Sequence, residues 1–212
     1  MIRYRRRYWA VAACLSAIAG FVDATAFVHL GGFFVSFMSG NSTRLGVGLA
    51  ETATHAALAG GLIAAFVCGV VLGSFANRSA NKSGGVRVTL LVAAVLALAA
   101  TFAGIGANAA AITCLALAMG AANAVFQRDG EVSIGVTYMT GTLVKAGQRI
   151  AAALTGGARF AWAPYLLLWG GLVLGAYLGA ISYAKFGLNG VWFPTGAALI
   201  LGLAYAHMPE PD

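Results

Sequence analysis

Six stretches of this chain are apolar, nearly free of charge and close to the ~20 residues an α-helix needs to cross a hydrocarbon core about 30 Å thick. They run from about Tyr8 to Leu30, Ala53 to Ala76, Val86 to Gly106, Asn108 to Phe126, Ala163 to Ala184 and Val191 to His207. Few folds accept such a pattern. In lipid every backbone N–H and C=O must find a partner inside the protein, so spans of this kind are helices. Composition agrees. The chain is 60% apolar and 9% charged, with a mean hydropathy of +0.85, whereas a soluble domain is about 25% charged. Disordered chains and ordinary soluble enzymes are excluded on this ground. The expected fold class is an all-α polytopic membrane protein.

The formal net charge is +7, and its placement says what it is for. Arg3, Arg5, Arg6 and Arg7 precede the first run; Arg78, Lys82 and Arg87 lie between the second and third; Arg128, Lys145, Arg149 and Arg159 lie between the fourth and fifth. With the N-terminus inside, all of these are cytoplasmic, and only Arg44 and Lys185 fall outside. That is the positive-inside pattern, with both termini in the cytoplasm. It is not a nucleic-acid stripe. The Arg5-Arg6-Arg7 start resembles the n-region of a signal peptide. The apolar run behind it is too long and carries Asp23, so an uncleaved first span is expected.

Residues 33–50 and 132–154 fit less simply. They are moderately apolar, broken by glycine, and carry a cation each near the middle. They read as re-entrant or interfacial segments, or as true spans. Eight spans would move Arg78, Lys82 and Arg87 outside and destroy the charge asymmetry, so six are preferred.

These two segments also reveal an internal repeat. Met38-Ser39-Gly40-Asn41-Ser42-Thr43-Arg44-Leu45-Gly46 aligns with Met139-Thr140-Gly141-Thr142-Leu143-Val144-Lys145-Ala146-Gly147. Backward from there, Cys14-Leu15 aligns with Cys114-Leu115, Gly20 with Gly120, and Asp23-Ala24 with Asn123-Ala124. Forward, Gly69 and Gly73 align with Gly175 and Gly179. The expected division is a basic N-terminus 1–8, repeat one over 9–106, repeat two over 107–207 and a tail 208–212. Each repeat holds three spans. An odd number makes the second copy enter the membrane from the opposite side, which is the inverted-repeat plan of many secondary transporters.

The stretch Ala19-Gly20-Phe21-Val22-Asp23-Ala24, then Phe34-Val35-Ser36-Phe37-Met38-Ser39-Gly40-Asn41, and later Met119-Gly120-Ala121-Ala122-Asn123-Ala124, resembles the YoaK-like family of small bacterial integral membrane proteins. The resemblance covers nearly the whole chain. It departs at Ala122, where the family pattern carries glutamine. It implies a bacterial inner-membrane protein of about six spans, and it implies no substrate or reaction.

Asp23 is the acid within a clear span. An ionisable group at membrane depth costs at least ~2.5 kcal/mol on insertion scales and usually faces a bundle interior or a cavity. Ser16, Gly20, Asp23 and Phe27 share one helical face, and Ala116, Gly120, Asn123 and Gln127 share the matching face of the fourth span. Asp23 with Asn123 reads as a proton, cation or polar-substrate site, or else as a packing contact. Ser39, Gly40 and Asn41, with Thr140, Gly141 and Thr142, form the second candidate. Small hydroxyl residues and glycine let backbone leave the helix, and freed N–H and C=O groups bind ions or polar groups. The plainer alternative makes Ser39 or Asn41 a helix N-cap. Arg44 and Lys145 occupy equivalent places as candidate charge partners, Arg44 for Asp23. Arg44, Gly48, Glu51 and His55 would share one helical face.

The rest is bland. Cys14, Cys68 and Cys114 read as small core residues, and His29, His55 and His207 match no metal-ligand spacing. No metal, cofactor or nucleic acid is expected; the expected partners are the lipid bilayer and a small solute or ion. No catalytic motif appears, so the chain is not expected to be an enzyme; Ser39 or Thr140 with His29 is the one conceivable nucleophile and base. The leading expectation is a small transporter of a polar or ionic solute, with Asp23 as the candidate for proton coupling. A membrane scaffold and a membrane-embedded enzyme are the rivals. Six spans are few for a transporter, which makes a homodimer a natural assembly.

Overall fold

In the computed structural model, residues 6–78, 82–128 and 131–208 are described. Arg3, Arg5 and the tail after Met208 lie outside them, as do the side chains of Arg6, Arg7, Lys82 and Arg128. The regular elements of the described chain are helices and one small hairpin. The helices are α1 (Arg6–His29), α2 (Met38–Glu51), α3 (Ala53–Ala76), α4 (Lys82–Gly104), α5 (Asn108–Ala122), α6 (Met139–Leu154), α7 (Ala163–Phe186) and α8 (Trp192–Ala206). Strands β1 (Gln127–Arg128) and β2 (Glu131–Val132) pair antiparallel.

Helices α1, α3 and α4 are long and apolar enough to cross a membrane, and so is the run from Ala163 to Ala206. That run is not one rod. Gly187 takes φ 57°, and residues Gly187–Val191 form a 3-10 turn that separates α7 from α8. Helix α5 is apolar but shorter, at 15 residues.

Helix α1 ends in a way that turns the chain back on itself. Gly31 takes φ 65°, a left-handed conformation that suits glycine, and Gly32 N–H reaches the Phe27 carbonyl at 2.8 Å. This is a Schellman-type closure, which satisfies orphan carbonyls and stops the helix sharply. Residues 30–37 then return along α1.

Two helix pairs form the centre, and glycine sets both. On α1 and α7, a Cβ at Gly20 would strike the Leu172 carbonyl, one at Gly175 the Ala17 carbonyl, and one at Gly179 the Phe21 carbonyl. On α5 and α3, a Cβ at Gly120 would strike the Phe66 carbonyl, one at Gly69 the Leu117 carbonyl, and one at Gly73 the Ala121 carbonyl. Small residues let helix backbones approach this closely, and in lipid such packing is a main force joining helices. Helices α4 and α8 pack on each other, α4 also against α5 and α8 against α1; α2 lies on α3 and α6 on α7. The shared core includes Leu15, Val22, Val92, Leu96, Leu115, Met119 and Leu168, each no more than 1% exposed.

Some expectations shift. The fourth helix ends at Ala122, not near Phe126. Asn123, Ala124 and Val125 donate to carbonyls three residues back, so the chain tightens into turns and then enters β1. Gln127 therefore does not share a helical face with Asn123. Thr52 is extended and separates α2 from α3, so His55 does not continue the face of Arg44, Gly48 and Glu51. Of the cysteines only Cys114 is a core residue; Cys14 and Cys68 face outward. Segments 33–50 and 132–154 are each an irregular strand of chain followed by a short helix, of 14 and 16 residues respectively. At 1.5 Å per residue these helices are about 21 and 24 Å long; the irregular segments that lead into them, not their length, set them apart from α5 and α8, which have 15 residues each.

Candidate functional site

The returning loop is fastened to α1 by Asp23. Its Oδ1 accepts the backbone N–H groups of Val35 and Ser36, both at 2.8 Å. Asp23 lies six residues before the end of α1, so the loop comes back about 9 Å along the helix axis. Asn41 closes the same loop from the other side. Its Oδ1 accepts the Phe34 N–H at 3.0 Å and its Nδ2 donates to the Phe34 carbonyl at 2.6 Å. Asn41 is fully buried. One side chain thus satisfies both backbone groups of a non-helical residue, as burial requires.

The second segment is held in the corresponding way. Thr137 Oγ1 donates to Asn123 Oδ1 at 3.0 Å, and Asn123 Nδ2 donates to the Met119 carbonyl at 3.1 Å. Under the alignment that matches Met38 with Met139, Thr137 matches Ser36. Asp23 and Asn123 therefore grip the same position of each loop. In addition, Ser16 Oγ on α1 donates to the Val136 carbonyl at 2.9 Å. Thr142 differs from its counterpart Asn41: its Oγ1 donates to the Tyr138 carbonyl at 3.0 Å.

Helices α2 and α6 start where these loops end, and their starts converge. Ser36, Phe37, Met38 and Ser39 from one segment, Thr137, Tyr138, Met139, Thr140 and Gly141 from the other, and Phe66 of α3 line a cavity of about 380 Å³. That volume matches a small-solute site. Hydroxyl groups, thioethers, aromatic rings and helix-start amides surround it. First-turn amides lack intrahelical partners. The chemistry on offer is hydrogen bonding to a small polar group.

The sequence-predicted residues divide. Ser39, Thr140 and Gly141 line the cavity. Asp23, Asn41, Asn123 and Thr142 do not; they hold the loops that shape it. A Cβ at Gly40 would meet the Phe37 and Phe34 rings, so Gly40 makes room for the aromatic turn. Ser39 and Asn41 are not N-caps. The cap positions are Phe37 and Tyr138, and neither helix has a side-chain cap. Arg44 does not pair with Asp23. Its guanidinium lies over the Phe33 ring, 4.8 Å from the centroid, and among the described residues Asp23 has no ion pair. The carboxylate finds its partners in backbone amides instead. Lys145 is exposed on α6 and joins no ion pair among the described residues. His29 is engaged elsewhere, 3.0 Å from the Tyr183 hydroxyl, and it borders a separate cavity of about 390 Å³ between α1, α3 and α5. Sequence reasoning does not reach Ser36, Thr137 or Phe66 as lining residues. The first two carry a signal, as hydroxyl residues two places before each repeated methionine.

Asn41→Ala is expected to leave both polar groups of Phe34 without a partner. At about 1–3 kcal/mol for an orphaned buried group, the melting temperature should fall by roughly 5–10 °C. Thermal unfolding in detergent, followed by circular dichroism, checks this.

Comparison with known proteins places the chain. The family described as "protein of unknown function (DUF1275)" matches residues 11–204. The chain belongs to this DUF1275 family. It is also 34% identical over 207 residues, 95% of this chain and 87% of the relative, to a UPF0700 transmembrane protein of Rhizobium meliloti (strain 1021). No solved structure matches it. This DUF1275 chain is thus an α-helical membrane protein, as its apolar helices and its transmembrane relative agree.

Proposed function

We propose that the protein is a small permease of the bacterial inner membrane that passes a small polar or ionic solute through the cavity between α2 and α6. In this reading α1, α3, α4, α5, α7 and α8 are six spans. They form two inverted three-helix repeats, 9–106 and 107–207, with both termini in the cytoplasm. Helices α2 and α6 are the re-entrant halves of their repeats. The single observation that carries the reading is the cavity itself: both halves contribute the same motif to it, at the start of a broken helix. Transporter sites built from discontinuous helices at a repeat interface follow this plan.

The packing supports the repeat. The contacts Gly20–Leu172, Gly175–Ala17 and Gly179–Phe21 correspond one by one to Gly120–Phe66, Gly69–Leu117 and Gly73–Ala121. In each correspondence the first helix shifts by 100 residues and the second by 106. Each repeat thus lends its second span to the other repeat's first. Depth supports the placement too. Ser16 and Asp23, which touch the two loops, lie well inside the 24-residue α1, so the cavity belongs within the hydrocarbon. Irregular backbone is tolerated there only inside protein or beside water.

One observation favours a non-transporting scaffold: Asp23 spends Oδ1 on loop amides and does not line the cavity. Its neighbour Ser36 does. The two readings part in a proteoliposome screen of small polar solutes and ions, run with and without a proton gradient. The permease should move at least one solute faster than empty vesicles. No flux for any solute class favours the scaffold. Topology has its own test. With the native cysteines replaced, Ser83→Cys should react with an impermeant thiol reagent only from the cytoplasmic side; labelling from outside would exclude six spans.

A further inference from the structure

Helices α2 and α6 are covered on one side only. Helix α2 rests on α3 and α6 on α7, and within α6 only Thr142 and Ala146 are buried. On α2 the exposed positions Ser39, Ser42, Thr43, Gly46 and Ala50 follow one another at helical spacing and are small, with the exposed Val47 and Leu49 set among them. The line begins at the mouth of the cavity, where Ser39 and Thr140 are both exposed. The cavity therefore has a lateral opening on this face.

We infer that a second copy of this chain covers the α2–α6 face and supplies the missing wall of the central cavity. The inference rests on the proposed function only for placing that cavity inside the bilayer. Lipid is a poor occupant. Two hydroxyls facing acyl chains would lack hydrogen-bond partners, and a polar solute would meet hydrocarbon at the cavity mouth. A copy is a good one. A two-fold axis along the membrane normal sets the α2 line of one protomer against the same line of the other, an isologous contact. The small residues allow the backbones to approach, and the exposed Val47 and Leu49 would supply the apolar contact beside them. Helices of 14 and 16 residues give about 45 Å of helix roughly 10 Å wide, within a factor of two of the ~800 Å² per partner of a standard interface.

The test uses the full chain in lipid nanodiscs. A Cβ at Gly46 would meet no atom within 4 Å, so Gly46→Trp leaves the protomer's own packing alone. Wild type should run as a dimer by mass measurement, and Gly46→Trp as a monomer with unchanged helical content. In native membranes, and with the native cysteines replaced, Thr43→Cys should form an oxidative cross-link. Ile200→Cys, exposed on α8, should cross-link at least tenfold less. A monomeric wild type, a dimer that survives Gly46→Trp, or a cross-link stronger at Ile200 than at Thr43 overturns the interface. A dimer with no solute flux would leave the interface standing and remove the permease.

Discussion

If Asp23 couples the proposed flux to protons, Asp23→Asn should fold, insert and melt close to wild type, yet lose that flux altogether. The amide keeps an oxygen where Oδ1 accepts the N–H groups of Val35 and Ser36. Asn123 already does similar work against Thr137. What the amide lacks is a proton to bind and release near neutral pH. Asp23→Ala is a different experiment. It removes the acceptor and strands two loop amides, at about 1–3 kcal/mol each. That variant should lose several degrees of melting temperature or fail to accumulate. Flux and thermal stability measured on both variants separate the roles. If Asp23→Asn transports at the wild-type rate, the carboxyl serves only to hold the loop, and proton coupling through it is wrong.

The second large effect is expected at the helix crossings. Gly175→Ala puts a methyl group into the Ala17 carbonyl of α1. The two helices cannot separate locally, because Gly20 and Gly179 hold the same crossing on either side. Overpacking against backbone costs at least ~1–3 kcal/mol, and the folded yield should drop severely. Gly170→Ala, on the same helix, is the matched control. No atom lies within 4 Å of a Cβ there, and alanine is the better helix former by ~1 kcal/mol. Its melting temperature should equal or exceed that of wild type. The same contrast should hold on α3, between Gly69→Ala and Gly61→Ala. Equal melting of Gly170→Ala and Gly175→Ala would mean that the α1–α7 crossing does not depend on close backbone approach.

Much of this fold can be read from local chemistry. The second apolar run matches α3 at both ends, Ala53 and Ala76, because Thr52 and Asn77 interrupt it on either side. The repeat is legible for a similar reason: the residues it keeps or replaces in kind, Gly20 with Gly120, Gly69 with Gly175, Asp23 with Asn123 and Met-Ser-Gly with Met-Thr-Gly, are those whose small size or polarity the packing uses directly. The misses are tertiary. Apolar character continues to Phe126, but α5 stops at Ala122, since the Asn123 side chain turns back to the Met119 carbonyl and the following residues tighten. Asp129-Gly130 is the available signal for the β1–β2 hairpin, an Asp-Gly pair being a strong turn former. The partner of Asp23 could not be found by counting charges. The repeat offers Arg44, the counterpart of Lys145, as a charge partner, whereas the carboxylate is satisfied by backbone N–H groups of a loop 12 and 13 residues on. Arg44 is satisfied by a ring, Phe33, and cation–π contacts leave no mark in a charge pattern.

Aqueous access to the cavity between α2 and α6 is the most direct measurement. Thr140→Cys, in a chain whose native cysteines are replaced, should react with a membrane-impermeant, water-soluble maleimide, and a transported solute should slow the reaction. Val67→Cys, exposed on α3 outside the cavity lining, should stay unreactive because lipid covers it. A Thr140→Cys thiol that resists the reagent from both sides of the membrane, while a lipid-soluble maleimide reaches it, would mean that no water path enters the cavity and that no solute crosses there.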